Sequence, residues 1–409
     1  MADIRPFRAF RPRPDLASRI ASLPYDVYSR QEAYALTRDD DISFLRIDRP
    51  ETQFEPDYDM YADEVYACAR DMLRRQMEDG EFVQEETPAY YIYSQTFKGR
   101  TQTGIVAASS VQDYVDSIIK KHENTRADKE TDRIRHVDTC NAQTGPIFLA
   151  YRRSEAIEAV IERIMKDAPL YDFVKYDTAQ KVWAITDDFD IETIRNAFAG
   201  MDSIYIADGH HRCASACKVA LGRRKSPDIP EDSEAEYFLS VLFPDNELMI
   251  MDYNRVIRDL NGLSPEDFLG KVEEVYRVTP ADGRFSPAHK GECGLYLDGR
   301  WYRLNYDLSK LKGDPVADLD VAVLQDNILG PVLGIDDPKT DKRIDFVGGI
   351  RGIEELERRC AEDCACAFAM YPTDIHELFA VADAGLLMPP KSTWFEPKLL
   401  SGLFIHDLT

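Results

Sequence analysis

The strongest constraint on how this chain can fold is an abrupt change of composition between Ser203 and Leu221. Ser203-Ile204-Tyr205-Ile206-Ala207 has the β-branched and aromatic content of a buried strand. Ala214, Ala216, Cys217, Val219, Ala220 and Leu221 have the content of a helix packed closely on a sheet. Between them lies Asp208-Gly209-His210-His211-Arg212, so a strand must run into a helix through a tight corner. Gly209 is the residue that tolerates the backbone angles such a corner demands.

Chemistry crowds the same corner. The amides of a helix's first turn have no partner within the helix and favour an anion in front of them. Arg212 adds a planar, two-pronged cation suited to phosphate. Asp208 is placed to hold a divalent metal or to accept a hydroxyl proton. Adjacent helical residues point roughly 100° apart, so His210 and His211 face different neighbours and at most one meets the reacting atoms. A plainer account makes Asp208 an N-cap and the histidines surface or core fillers. The concentration of titratable groups at one turn favours a site.

At 409 residues the chain has length for two domains, and a hydrophobic content of 44% suffices for ordinary cores. The pattern changes after about residue 245, which divides it into an N-terminal α+β domain over 1–245, carrying the corner, and a C-terminal α/β domain over 246–409. Its 50 basic and 74 acidic residues leave a net charge of −24. Duplex binding needs concentrated positive charge, so nucleic acid is excluded as a partner, and an anionic small-molecule substrate must be drawn in by a local basic pocket. Met1-Ala2-Asp3-Ile4-Arg5 lacks an apolar signal core and no run approaches a membrane span, so a cytoplasmic protein without membrane partners is expected, with a homo-oligomer left open. Cys68, Cys140, Cys213, Cys217 and Cys293 are scattered and read as reduced small hydrophobes. Cys360, Cys364 and Cys366 have a spacing that a soft metal can use, but the apolar residues between and after them explain the three as packing.

Along the chain, Tyr58, Tyr61, Val65, Ala69, Met72, Leu73 and Met77 recur at helical spacing and end near Gly80, which predicts an amphipathic helix with its tyrosines in the core. Tyr90 to Tyr93 leads through Lys98-Gly99-Arg100 to Gly104 to Ala107, a hairpin, and Asp298-Gly299 marks a second one. Ile157, Val160, Ile161, Ile164 and Met165 form another helix, while Val182 to Ile185 and Tyr237 to Phe243 supply strands. Lys120 to Thr144 is different, because charged residues crowd it and apolar ones are few. It reads as a solvated helix or as a mobile active-site loop, with the loop preferred.

Ala207-Asp208-Gly209-His210-His211-Arg212 resembles the signature of the family with domain of unknown function 1015. Further blocks extend the likeness over nearly the whole chain: Pro6-Phe7-Arg8, Leu23-Pro24-Tyr25-Asp26-Val27, His122-Glu123-Asn124-Thr125 with Asp132-Arg133, Phe346-Val347-Gly348-Gly349, and Pro389 to Lys398. The turn itself is similar to that of free-serine kinases of the ParB and sulfiredoxin superfamily, where it helps hold nucleotide phosphates and metal. The resemblance implies a ParB/sulfiredoxin-like nucleotide-binding core with a mixed sheet, and ATP or ADP with Mg2+ at the corner. It also implies a glutamate base, for which Glu123 is the first candidate and Asp26 the second. Asp208 then holds the metal, Gly209 and Arg212 hold phosphates, one of His210 and His211 steadies the transferring group, and Lys121 and Arg133 counter phosphate charge. Lys391 and Lys398, beside hydroxyls and prolines, form a rim for phosphate or carboxylate, or else a loop that docks the C-terminus.

These parts suit transfer of phosphate to the hydroxyl of a free amino acid, with L-serine the leading acceptor, because that reaction asks for positioning and charge neutralisation. Two other readings stand beside it. The corner can serve a nucleotide-binding regulatory module without turnover, or, with His210 and His211 as ligands, a metal-dependent hydrolase.

Overall fold

The computed structural model describes residues 1–409 except 126, 228, 229 and 231. It divides the chain into two compact units, Met1–Leu248 with Pro397–Thr409, and Met249–Glu396. Both are mixed α/β structures.

The first unit is built on a large mixed sheet. Its elements in chain order are β1 (Ile4–Arg5), α1 (Asp63–Glu78), β2 (Tyr90–Phe97), β3 (Arg100–Ser110), β4 (Ile119–Lys120), α2 (Ala127–Cys140), β5 (Ile147–Tyr151), α3 (Glu155–Ile164), β6 (Tyr171–Lys175), β7 (Thr178–Ile185), α4 (Asp188–Ala199), β8 (Ile204–Asp208), α5 (His210–Arg223) and β9 (Tyr237–Pro244). The strands lie in the order β4-β8-β5-β9-β3-β2-β7-β6, with β1 also paired to β3. β8 runs parallel to β4 but antiparallel to β5, and β5 runs parallel to β9. The β2–β3 hairpin turns at Lys98 and Gly99, with φ of 49° and 78°, the pair of left-handed residues that a tight two-residue hairpin requires. Ile92, Ile105, Leu149, Ile206 and Phe238 form the heart of the core with Ile157 of α3, Ile194 of α4 and Cys213 of α5.

Two sequence expectations are corrected. α1 begins at Asp63, so Tyr58 and Tyr61 precede it, and they are 36% and 49% exposed rather than in the core. Tyr58 instead stacks on Phe54 at 4.7 Å. The charged stretch from Lys120 to Thr144 is not a loop, for most of it is α2, a helix with Glu130, Arg133, His136 and Cys140 buried. A helical repeat is present, but polar side chains occupy the buried face.

The last residues return to this unit. Ser401 exchanges backbone hydrogen bonds with Ser22, Phe10 with Ile405, and His406–Asp407 pairs with Ala142–Gln143. Leu400, Leu403, Phe404 and Ile405 are buried along the way. Gly402 makes the passage possible, because its φ is +80° and a Cβ there would sit 2.5 Å from Phe44 Cγ.

The second unit carries its own sheet: β10 (Tyr253–Ile257), β11 (Arg277–Pro280), β12 (Glu292–Leu297), β13 (Arg300–Asn305), β14 (Ile344–Gly348) and β15 (Cys366–Met370), ordered β11-β13-β12-β15-β10-β14 and antiparallel throughout. The Asp298-Gly299 turn joins β12 to β13 with φ of 48° and 74°. Cys360 and Cys364 pack with Val256, Trp301 and Leu356 on one face of it. Among the described residues, no helix is long and apolar enough to cross a membrane.

Gly402→Ala is expected to cost about 3 kcal/mol in urea unfolding, since left-handed strain adds to an overlap with a buried ring. Gly99→Ala, also left-handed but with nothing within 4 Å of the new Cβ, is expected to cost about 1 kcal/mol. Equal losses would show that the tail does not depend on its close approach to Phe44.

Candidate functional site

The corner is set by three local departures from regularity. The pairing of β8 with β5 slips between Ile206 and Asp208, so that Ala207 is bulged out and Asp208 pairs with Phe148 at the end of the strand. Gly209 follows at φ 92° and starts α5. A Cβ on Gly209 would lie 3.0 Å from Arg212 Nη2, because the guanidinium folds back across the glycine. Arg212 Nη1 donates to the Pro146 carbonyl, and a Cβ on Gly145 would lie 3.7 Å from Arg212 Nη1. The cation is thus slotted between two glycines, one from each side of the corner.

Asp208 is held at both oxygens. Oδ1 accepts from the Gly209 amide at 2.8 Å, and Oδ2 accepts from Lys398 Nζ at 2.9 Å. The pair is partly shielded, with 32% of the Asp208 side chain and 18% of the Lys398 side chain exposed. Burial alone would raise the carboxyl's pKa, but Lys398 and Arg212 outweigh it and hold Asp208 well below the usual carboxylate range. A carboxylate held that low is a feeble proton acceptor. Of the two roles that its position suggests, the geometry serves the fixed anion.

Two imidazoles lie behind it. The rings of His122 and His210 meet edge to face, 4.5 Å apart at 89°. His210 Nε2 accepts from the His122 backbone N–H at 3.4 Å, which leaves the His210 proton on Nδ1. Burial pushes His122 down to about 4 and His210 well below its ordinary value, so both are neutral at pH 7. The exposed Lys121 also disfavours charge on His210. His211 is half-buried, and charge on it is felt by both His210 and Glu130.

The remaining candidates are distributed as follows. Glu123 is half-buried in the segment between β4 and α2. Arg133, 7% exposed, bonds Asp132 at 2.8 Å and the Asp48 carbonyl at 3.4 Å, and lies 4.1 Å from the Tyr25 ring centroid, so its charge is already balanced. Tyr25 and Arg133 line a narrow cleft of about 30 Å³ together with Thr144, Arg212 and Ser401. They also line a larger cavity of about 190 Å³ with Asp26, Arg49, Glu51 and Asp132. Lys391 belongs to the second unit, at φ 58° with Nζ 5.4 Å from the Tyr253 ring centroid. Of the two tail lysines it is Lys398 that reaches Asp208. Nothing in the local sequence singles it out, because the partners are 190 residues apart. Among the described residues no group of three or more His, Cys, Asp or Glu comes together to cage a metal, so Asp208 offers a single carboxylate.

A family model described as a protein of unknown function (DUF1015) matches residues 4–322. No curated protein matches the sequence. Among solved structures, a variant of a free serine kinase in complex with ADP is 14% identical with a TM-score of 0.36, over 72% of this chain and 88% of that one. A conserved hypothetical protein from Pyrococcus furiosus is 15% identical at a TM-score of 0.35, over 73% and 94%. C-terminally truncated SbnI from Staphylococcus aureus is 11% identical at 0.35, over 72% and 85%.

The buried His122 gives the first unit an acid limb. In the fold it takes its proton only near pH 4, whereas in the unfolded chain it does so near 6.5, so the unfolded state holds more protons between those values. Stability therefore falls as pH drops through that window, by about 2 kcal/mol between pH 7 and pH 5. Urea unfolding of His122→Gln is expected to show that much less loss than the native chain over the same interval. An identical loss in both would mean that His122 titrates normally in the fold.

Proposed function

This chain belongs to the DUF1015 family of proteins of unknown function, and we propose that its strand-to-helix corner is the nucleotide end of a kinase site. The reaction moves phosphate from ATP or ADP to the hydroxyl of a free amino acid, L-serine first among them. The observation that carries this reading is the convergence of Arg212 and Lys398 on Asp208 at the start of a 14-residue helix. Two cations and a helix N-terminus form a concentrated anion-binding place in a chain of net charge −24. The likeness of the turn to that of free-serine kinases supports the same assignment, as it does a ParB/sulfiredoxin-like core for the first unit.

In the proposed step, the acceptor's hydroxyl oxygen attacks the terminal phosphorus of the donor. The new P–O bond forms as the bond to the bridging oxygen breaks, and the nucleotide leaves one phosphate shorter with that electron pair. The hydroxyl proton passes to Glu123 or, in its place, to Asp26, which lines the cavity of about 190 Å³. Arg212 and the first amides of α5 hold the donor phosphates, with Lys121 adding positive field, while Arg133, balanced by Asp132, shapes the cleft beside Arg212. Asp208 is the residue that would hold Mg2+, which neutralises phosphate charge when bound, and Lys398 must then share the carboxylate. His210, neutral and buried, acts as a hydrogen-bonding wall. Lys391 is left to a separate role.

A regulatory module that binds nucleotide without transfer would use the same corner, since holding phosphate needs no base.

Phosphorus NMR of the protein with Mg2+, ATP or ADP, and a panel of hydroxyl amino acids is expected to show a new phosphomonoester that disappears when serine is left out. Asp208→Asn and Lys398→Met are each expected to lower its rate of appearance about 100-fold or more. An unchanged spectrum in the presence of demonstrable nucleotide binding would remove the kinase and leave the regulatory module.

A further inference from the structure

The second unit contains a buried cation that the corner's chemistry does not use. Arg255, in the middle of β10, is 3% exposed, with Phe346 and Phe368 as its cross-strand neighbours. Among the described residues its guanidinium donates only to carbonyls, that of Tyr253 and, at 3.2 Å, that of Lys391. Arg133, the other arginine buried to a similar degree, faces a carboxylate, that of Asp132, and the half-buried Arg49 and Arg359 pair with Glu51 and Asp345. Arg255 has no such partner among the described residues. The acid closest in sequence, Asp252, is engaged by Asn254 and lies against Gly349. Burial pulls the Arg255 guanidinium down to about 10, the cost of a charge without a counter-ion.

A second cation without a carboxylate partner among the described residues stands beside it. Lys391 is exposed, in the left-handed region at φ 58°, and its ammonium lies 5.4 Å from the Tyr253 ring centroid. The Arg255 guanidinium lies 5.7 Å from the Phe346 ring centroid. Tyr253 meets Phe346 edge on at 6.0 Å and Trp394 at 5.1 Å. The loop carrying Lys391 is fixed from within, since Ser392 Oγ donates to the Pro389 carbonyl at 2.7 Å and Thr373 Oγ1 donates to the Ser392 carbonyl at 2.9 Å. Gly348 is required where it stands, because a Cβ there would be 2.8 Å from Trp394 Cδ2. The F-V-G-G and P-P-K-S-T-W blocks of the sequence are therefore two sides of one aromatic and cationic cluster.

We propose that Arg255 and Lys391 form an anion site in the second unit that takes a phosphate group, with Tyr253, Phe346 and Trp394 as its walls. A planar guanidinium gives phosphate a two-pronged contact, and a point-charge ammonium beside it suits the second negative charge. Neither cation faces a carboxylate among the described residues, so their charge is left to an external anion. All five residues belong to the second unit.

Trp394, one of three tryptophans in the chain, gives a local readout. Titration of the full chain with inorganic phosphate at constant ionic strength is expected to change tryptophan emission saturably, and Trp394→Phe is expected to abolish the change. Lys391→Gln should weaken the apparent affinity at least tenfold, Lys391→Arg should keep it, and Lys398→Met should leave it as in the native chain. The proposal is overturned if Lys391→Gln responds as the native chain does, if Lys398→Met alone removes the response, or if chloride at equal ionic strength reproduces it.

Discussion

The candidate site depends on one ion pair between residues 190 positions apart, one from each of the two segments of chain that make up the first unit. Lys398 reaches Asp208 because the tail after it is fixed by backbone hydrogen bonds to Ser22, Thr144 and Phe10 and by six buried apolar side chains. The pair is worth more to the chemistry than to stability, since a partly shielded ion pair gains little over its hydration. What it secures is the charge state of Asp208. With Lys398 and Arg212 both near, Asp208 stays ionised across the physiological range and its oxygens keep fixed directions. Any ligand arriving at the corner meets a preset anion with two cations and the helix start around it.

A similar economy of charge runs through α2. Glu130 is engaged by Thr125 and Lys218, Arg133 by Asp132 and Asp48, and His136 by the Ile47 carbonyl at 2.8 Å. Each buried polar group on that face is satisfied, which is what allows a helix to bury charge at all. The consequence is positional. α2 contacts α5 directly through Glu130, whose backbone carbonyl accepts from Ser215 Oγ at 3.2 Å, so the polar helix fixes the helix that begins at the corner.

How much of this was legible in the sequence follows from where apolar residues do and do not report structure. The strand, glycine and helix of the corner were readable because their composition changes at the point where the backbone turns. Both hairpins were readable because Lys98-Gly99 and Asp298-Gly299 must be left-handed. α2 was not, because a rule that looks for apolar residues at helical spacing is blind to a buried face made of Glu130, Arg133 and His136. Tyr58 and Tyr61 misled it in the opposite direction, extending the repeat of α1 past its true start at Asp63. The Asp208–Lys398 pair lies beyond any local rule. Lysines beside prolines and hydroxyls mark a loop, and only the tail's path decides which of them finds an acid.

The two cationic places differ in how their charge is balanced, and that difference has consequences for what they can bind. At the corner, Lys398 already has a carboxylate, so an incoming phosphate must either share the lysine with Asp208 or arrive with a cation that takes over that oxygen. Affinity there should therefore be coupled to a divalent ion, which is the behaviour a nucleotide site needs and a free-phosphate site does not. Around Arg255 no acid has to be displaced, since its donors go to carbonyl oxygens that carry no net charge. An anion there gains the full field of the guanidinium in surroundings of low polarity, without a metal as intermediary. On the two proposals one chain would hold a conditional anion site and an unconditional one, distinguished by whether a single carboxylate stands beside the cation.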